Sequence, residues 1–143
     1  MKNLPVIVLD TNMLVSALRS RNGASFELLS ALLDERFVIA VSVPLVMEYE
    51  SVLHREGLVP ISASQVDAVI DMICTTARLQ EIHFLWRPQL RDPKDEMVLE
   101  AAVNAEANFL VTHNLRDFEP AKRFNVKPIG PRAFLNYLES RKL

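Results

Sequence analysis

Apolar residues fall along this chain in two alternating rhythms. Short unbroken runs, from Leu4 to Leu9, Phe37 to Val41, Phe109 to Thr112 and Val126 to Ile129, are rich in Val and Ile and suit strands buried on both faces. Between them the spacing turns helical: Phe26, Leu28, Leu29, Leu32 and Leu33 form one stripe, and Leu45, Val46, Tyr49, Val52 and Leu53 the next. A longer helix is expected from about Ser64 to Ala77. Another opens in RDPKDEMVLEAAVNAEA, with Asp92 as its cap and Pro93 at the first helical position. The last helix should begin near Pro131 and carry Phe134, Leu135 and Leu138 inward. Strands separated by helices, at connections too long for hairpins, predict an α/β fold. Its central, mainly parallel sheet of four to five strands would be covered on both faces, giving three α/β/α layers.

In such a sheet, ligands bind beyond the carboxyl ends of the strands. Asp10, in VIVLDTNMLVSAL, stands where the first run stops, and Thr11 and Asn12 beside it could cap the following helix or hold the carboxylate. From this segment alone, a helix cap and a functional acid explain Asp10 equally well. Other acids approach the same edge. After the second strand, Ser42 can cap a helix whose apolar stripe is flanked by Glu48 on one side and Glu50 on the other, and geometry does not choose between them. In the helix after Pro93, the wheel places Asp95 close to the inward face of Val98, Ala102 and Ala105, with Glu96 pointing well away. A cap near the helix N-terminus accounts for one carboxylate there. It accounts less well for Asp92, Asp95 and Glu96 together, whose repulsion a cation would relieve. The fourth run leads into VTHNLRDF, setting Thr112, Asn114 and Asp117 just past a strand end.

The 143 residues, half of them apolar, leave room for one compact domain spanning 1–143 and none for a second. A net charge of −2 gives no global basic field, so affinity for a polyanion would have to come from a local cluster. The single cysteine, Cys74, falls in the pattern Val66, Val69, Ile70, Ile73, Cys74, Ala77 and is expected to be buried and inert. No run is long enough for a membrane span or a signal segment, so a cytoplasmic location is expected. Converging carboxylates need a cation, and oxygen donors suit Mg²⁺ or Mn²⁺. Scattered His54, His83 and His113 with one cysteine offer no zinc set. An acidic site of this kind matches phosphodiester hydrolysis.

With Asp10 in LDTN, Glu48 in SVPLVMEYESVL, Asp95 in RDPKDEMVLEAA, and Asn114 with Asp117 in LVTHNLRDF, the chain resembles the PIN domain from about Val6 to Leu138. It looks closest to the bacterial PIN proteins of toxin–antitoxin pairs, the VapC-like toxins. The resemblance implies a Mg²⁺- or Mn²⁺-dependent ribonuclease acting on single-stranded RNA, with an antitoxin able to block the site and a homodimer as the assembly. Carried over by position, Asp10 matches the first acid, Glu48 the second and Asp95 the third, with Asp92 and Glu96 leaving the register of the third open. Asn114 stands where other versions carry Asp, which puts a second metal in doubt, and Asp117 would supply the remaining carboxylate. Thr11, Asn12, Thr112 and Asn114 would orient the acids or bound waters. Substrate contacts would come from some of Arg19, Arg21, Arg91, His113 and Arg116. Phe84 and Trp86 in HFLWRPQLRDP could stack on bases or meet a partner, although packing under a loop explains them as well. The alternative function is a non-catalytic PIN-like module that binds RNA or protein. No separate nucleophile motif favours a third, a metal-dependent phosphatase.

Overall fold

The structure, a computed structural model, describes residues 3–83 and 87–141; Phe84 and Trp86 lie outside them. Five strands form one sheet: β1 (Val6–Leu9), β2 (Val38–Val41), β3 (Arg78–Leu79), β4 (Phe109–Val111) and β5 (Lys127–Ile129). All pairs are parallel and the order is β3-β2-β1-β4-β5. The chain winds outward from β1 through β2 to β3, then crosses back to β4 and β5. Strand order therefore reverses between β1 and β4, and a ligand crevice is expected at their carboxyl ends. Ile7, Val8 and Leu9 are all 0% exposed, as consecutive residues can be only when both sheet faces are covered.

Helices connect the strands: α1 (Thr11–Arg19) and α2 (Ala24–Ser30) after β1, α3 (Val43–Leu53) and α4 (Ala63–Thr76) after β2, α5 (Glu96–Asn104) before β4, and α6 (Pro131–Ser140) after β5. Ser42 starts α3 with its Oγ accepting from the Leu45 amide, and Ser62 starts α4 in a reciprocal capping box with Gln65. Phe134 of α6 packs edge-on against Phe37 and Phe109, at ring separations of 5.4 and 5.6 Å. Those two rings lie at the amino ends of β2 and β4, so this aromatic cluster sits at the opposite edge of the sheet from Asp10.

Cys74 and the start of α5 depart from expectation. Cys74 is exposed, because it lies about 70° around α4 from the centre of the buried Val66, Ile70 and Ile73 stripe at about 100° per residue. Partial desolvation, with Asp71 and Glu50 nearby, still pushes its thiol pKa up. The helix expected from Pro93 opens with a 3-10 turn over Pro93–Asp95, and α5 begins only at Glu96. Asp92 caps that turn by accepting from the Lys94 amide.

Candidate active site

Asp10 occupies the N-cap position of α1, yet its side chain makes no capping hydrogen bond. Its Oδ2 instead accepts from Thr112 Oγ1 at 2.8 Å, across 102 residues of chain. The backbone fixes both ends of this bond: the Asp10 amide donates to Val111, and the Thr112 amide donates to Ile129. Asp10 and Thr112 thus stand at the carboxyl ends of β1 and β4, where the strand order reverses. Thr112 Oγ1 also accepts from the Asn114 amide at 2.9 Å, tying the following loop to the same pair. Burial raises the Asp10 pKa, while Thr112, the amides of Asn12 and Thr11, and nearby His113 pull it back. Thr11 is buried with its hydroxyl unpartnered among the described residues, whereas Asn12 is exposed.

Asp95 is half-buried at the 3-10 turn that leads into α5. Its carboxyl is pushed up to about 7 by burial first, then by Asp10, Asp92, Asp117 and Glu96. Every one of these influences acts in the same direction. Carboxylates from the end of β1, from the turn before α5 and from the loop after β4 thus share one electrostatic neighbourhood. Asp117 itself is exposed, in a turn closed by its amide on the Asn114 carbonyl.

Glu48 is half-buried on α3 and makes no hydrogen bond or ion pair among the described residues. Its neighbour Tyr49 is fully buried and donates its hydroxyl to the Leu9 carbonyl, which ties α3 to the last residue of β1. Burial and the Asp10 charge both raise the Tyr49 pKa. Glu48 and Asp10 therefore each sit one residue from an end of the same hydrogen bond. Glu50 is exposed.

Glu96 departs from the wheel reading. It is 1% exposed, and its Oε1 accepts from the amides of Gln89 and Leu90 at 2.6 and 2.9 Å. The physical reason is that α5 is covered twice, by the sheet on one side and by the 87–91 loop on the other. Glu100, one turn on, joins the same outer stripe and takes a two-pronged ion pair from Arg87 at 2.5 and 2.8 Å. A helical wheel knows only the sheet side. Sequence reasoning also passed over Ser25, which is 2% exposed with its Oγ 2.8 Å from Nε2 of His113. Among the proposed substrate contacts, Arg19, Arg21, Arg91, His113 and Arg116 are all exposed. A cavity at the α3–α4 turn, lined by residues such as His54, Arg55 and Val59, includes none of the acids.

The donors gathered here are oxygens, and uncompensated negative charge of this kind fits a hard divalent cation. Among the described residues, however, no three His, Cys, Asp or Glu side chains stand around one point closely enough to hold an ion as they are. No helix among the described residues is long and apolar enough to cross a membrane.

Several solved structures share the fold, two VapBC structures among them. One is VapBC2 from Rickettsia felis bound to a DNA fragment from their promoter, 17% identical with a TM-score of 0.58, covering 87% of this chain and 98% of that one. The other is VapBC-1 from nontypeable Haemophilus influenzae, 13% identical with a TM-score of 0.57, covering 89% and 98%. No curated protein matches the chain. A family model described as the PIN domain matches residues 6–116, so the chain belongs to the PIN domain family, whose members are in general nucleases that use divalent metals.

Proposed function

We propose that this protein is a Mg²⁺- or Mn²⁺-dependent endoribonuclease that hydrolyses phosphodiester bonds of single-stranded RNA, and that it is the toxin of a toxin–antitoxin pair. The observation that supports the reading is that Asp10, at the carboxyl end of β1 beside the strand-order reversal, and Asp117, in the loop after β4, both raise the pKa of Asp95 in the turn before α5. Asp10, Glu48, Asp95 and Asp117 would hold the cation. When bound, it supplies an acidified water and offsets charge growing on the phosphate. Thr112 orients the Asp10 carboxylate, and Thr11, Asn12 and Asn114 line the same end of the sheet. The two VapBC structures support an antitoxin as partner. A homodimer and a cytoplasmic location belong to the same reading, as does a single domain spanning 1–143.

Two features favour the alternative, a non-catalytic module that binds RNA or protein: no three acids close around one point among the described residues, and Asn114 stands where the resemblance to other PIN domains leads one to expect Asp. Cleavage of a mixed single-stranded RNA pool in Mn²⁺, with and without chelator, separates the two. The nuclease reading expects cleavage that chelator stops and that Asp10→Asn reduces at least about a hundredfold. Cleavage that survives in Asp10→Asn, or a wild-type protein that binds RNA in Mn²⁺ without cutting it, removes the proposed mechanism.

A further inference from the structure

We propose that His113 binds a backbone phosphate of the RNA substrate, and that Ser25 is the positioning residue holding its ring at the mouth of the acid site. The inference rests on the ribonuclease reading above. His113 is exposed, but both of its neighbours are fixed: Thr112 is 0% exposed and bonded to Asp10, and the Asn114 amide is bonded to Thr112. Its ring is fixed as well, by a hydroxyl from the first turn of α2, 88 residues earlier in the chain. Ser30 on the same helix bonds locally, to the Phe26 carbonyl, as helical serines commonly do. Ser25 instead reaches out of its helix to the loop after β4.

Such a bond removes rotamer freedom that an exposed histidine would otherwise keep. What it leaves is one ring nitrogen, Nδ1, without a partner among the described residues. In the tautomer we propose, Ser25 donates to Nε2, the ring proton resides on Nδ1, and that nitrogen is the donor left for the phosphate. The setting makes a donor valuable. A phosphodiester approaching Asp10, Asp95 and Asp117 meets negative charge, and its non-bridging oxygens need N–H groups beside the acids. Loss of a contact to phosphate, unlike loss of one to a base, weakens binding evenly across sequences.

The test is steady-state cleavage of U-rich and A-rich single-stranded RNA pools in Mn²⁺ by wild type, His113→Ala, His113→Gln and Ser25→Ala. His113→Ala should raise KM about five- to tenfold on both pools, as expected for one lost hydrogen bond, with kcat within about twofold. Ser25→Ala should raise KM by a smaller factor while the ring remains, and its ¹⁵N spectrum should lose the single His113 tautomer. His113→Gln, which retains an N–H donor, should recover part of the KM loss. An unchanged KM in His113→Ala overturns the assignment, and so does a KM rise confined to one pool, which would mark a base contact. A loss of kcat alone overturns it too. Wild type that cuts neither pool defeats the ribonuclease reading and this one together, whereas normal wild-type cleavage with an indifferent His113→Ala defeats this one alone.

Discussion

Replacing Asp95 by Asn should stabilise the metal-free protein at alkaline pH and leave it unchanged in acid. The Asp95 carboxyl is raised from 3.8 to about 7, chiefly by burial and then by Asp10, Asp92, Asp117 and Glu96. Between those two values the unfolded chain has released its proton and the folded one still holds it. The native state therefore binds more protons, and stability falls as pH rises through that window. About three pKa units amount to ~4 kcal/mol at full strength, and solvent screening of a half-buried group reduces this to about 2 kcal/mol. Urea unfolding in EDTA at pH 4, 6 and 8, followed by far-UV circular dichroism, measures the effect. The variant should gain about 2 kcal/mol over wild type at pH 8 and nothing at pH 4. Mg²⁺ or Mn²⁺ should reverse the order, adding about 2.7 kcal/mol to wild type at a hundred times its dissociation constant and much less to the variant. A gap between the two proteins that does not change with pH would refute the argument. It would show that the Asp95 carboxyl titrates alike in the folded and unfolded chain, raised neither by burial nor by the other acids.

Substitutions at three further positions test the scaffold. Thr112→Val keeps the shape but removes the donor to Asp10 and the acceptor for the Asn114 amide; it should cost about 2–3 kcal/mol in urea unfolding and move the Asp10 carboxyl further up in a ¹³C NMR titration. Glu96→Ala strands the amides of Gln89 and Leu90 and should cost about 2–4 kcal/mol, with faster hydrogen exchange at those two amides, while Glu96→Gln keeps an acceptor and should cost under about 1 kcal/mol. Tyr49→Phe removes the hydroxyl that ties α3 to the Leu9 carbonyl; it should cost about 1–2 kcal/mol and weaken Mn²⁺ binding in calorimetry if Glu48 serves the same ion.

Much of the fold can be read from the chain because the forces that set it act locally. Val6–Leu9 and Phe109–Val111 are continuous apolar runs because two helical layers cover them, and the run itself records that. The edge strand β3 left no such record: Arg78 and Leu79 are both exposed, and the strand is only two residues long. Cys74 and Glu96 mark the limits of a helical wheel, which gives an angle but neither the width of the buried arc nor what lies on the far side. Around α4 the arc is narrow and Cys74 falls outside it. Around α5 a loop forms a second wall, and Glu96 becomes the internal acceptor for that loop.

The acids lie at the least comfortable place in the molecule, and the architecture explains how they are kept there. Asp10 continues the central strand, and Thr112 follows the strand beside it, so the first carboxylate is held by sheet hydrogen bonds rather than by a flexible loop. The aromatic packing of Phe37, Phe109 and Phe134 lies at the opposite edge, where it secures the sheet without covering the carboxyl ends of the strands. Stabilising contacts and repelling charges are thus separated along the strand direction. That separation is legible in the sequence as acids after the apolar runs and large rings before them. The parts that were not legible, the Glu96 clamp on the 87–91 loop and the Ser25 bond to His113, join segments whose proximity only the folded chain creates. Each of them acts on the backbone that presents an acid or its neighbour, which is why substitutions at these quiet positions should move the site as well as the stability.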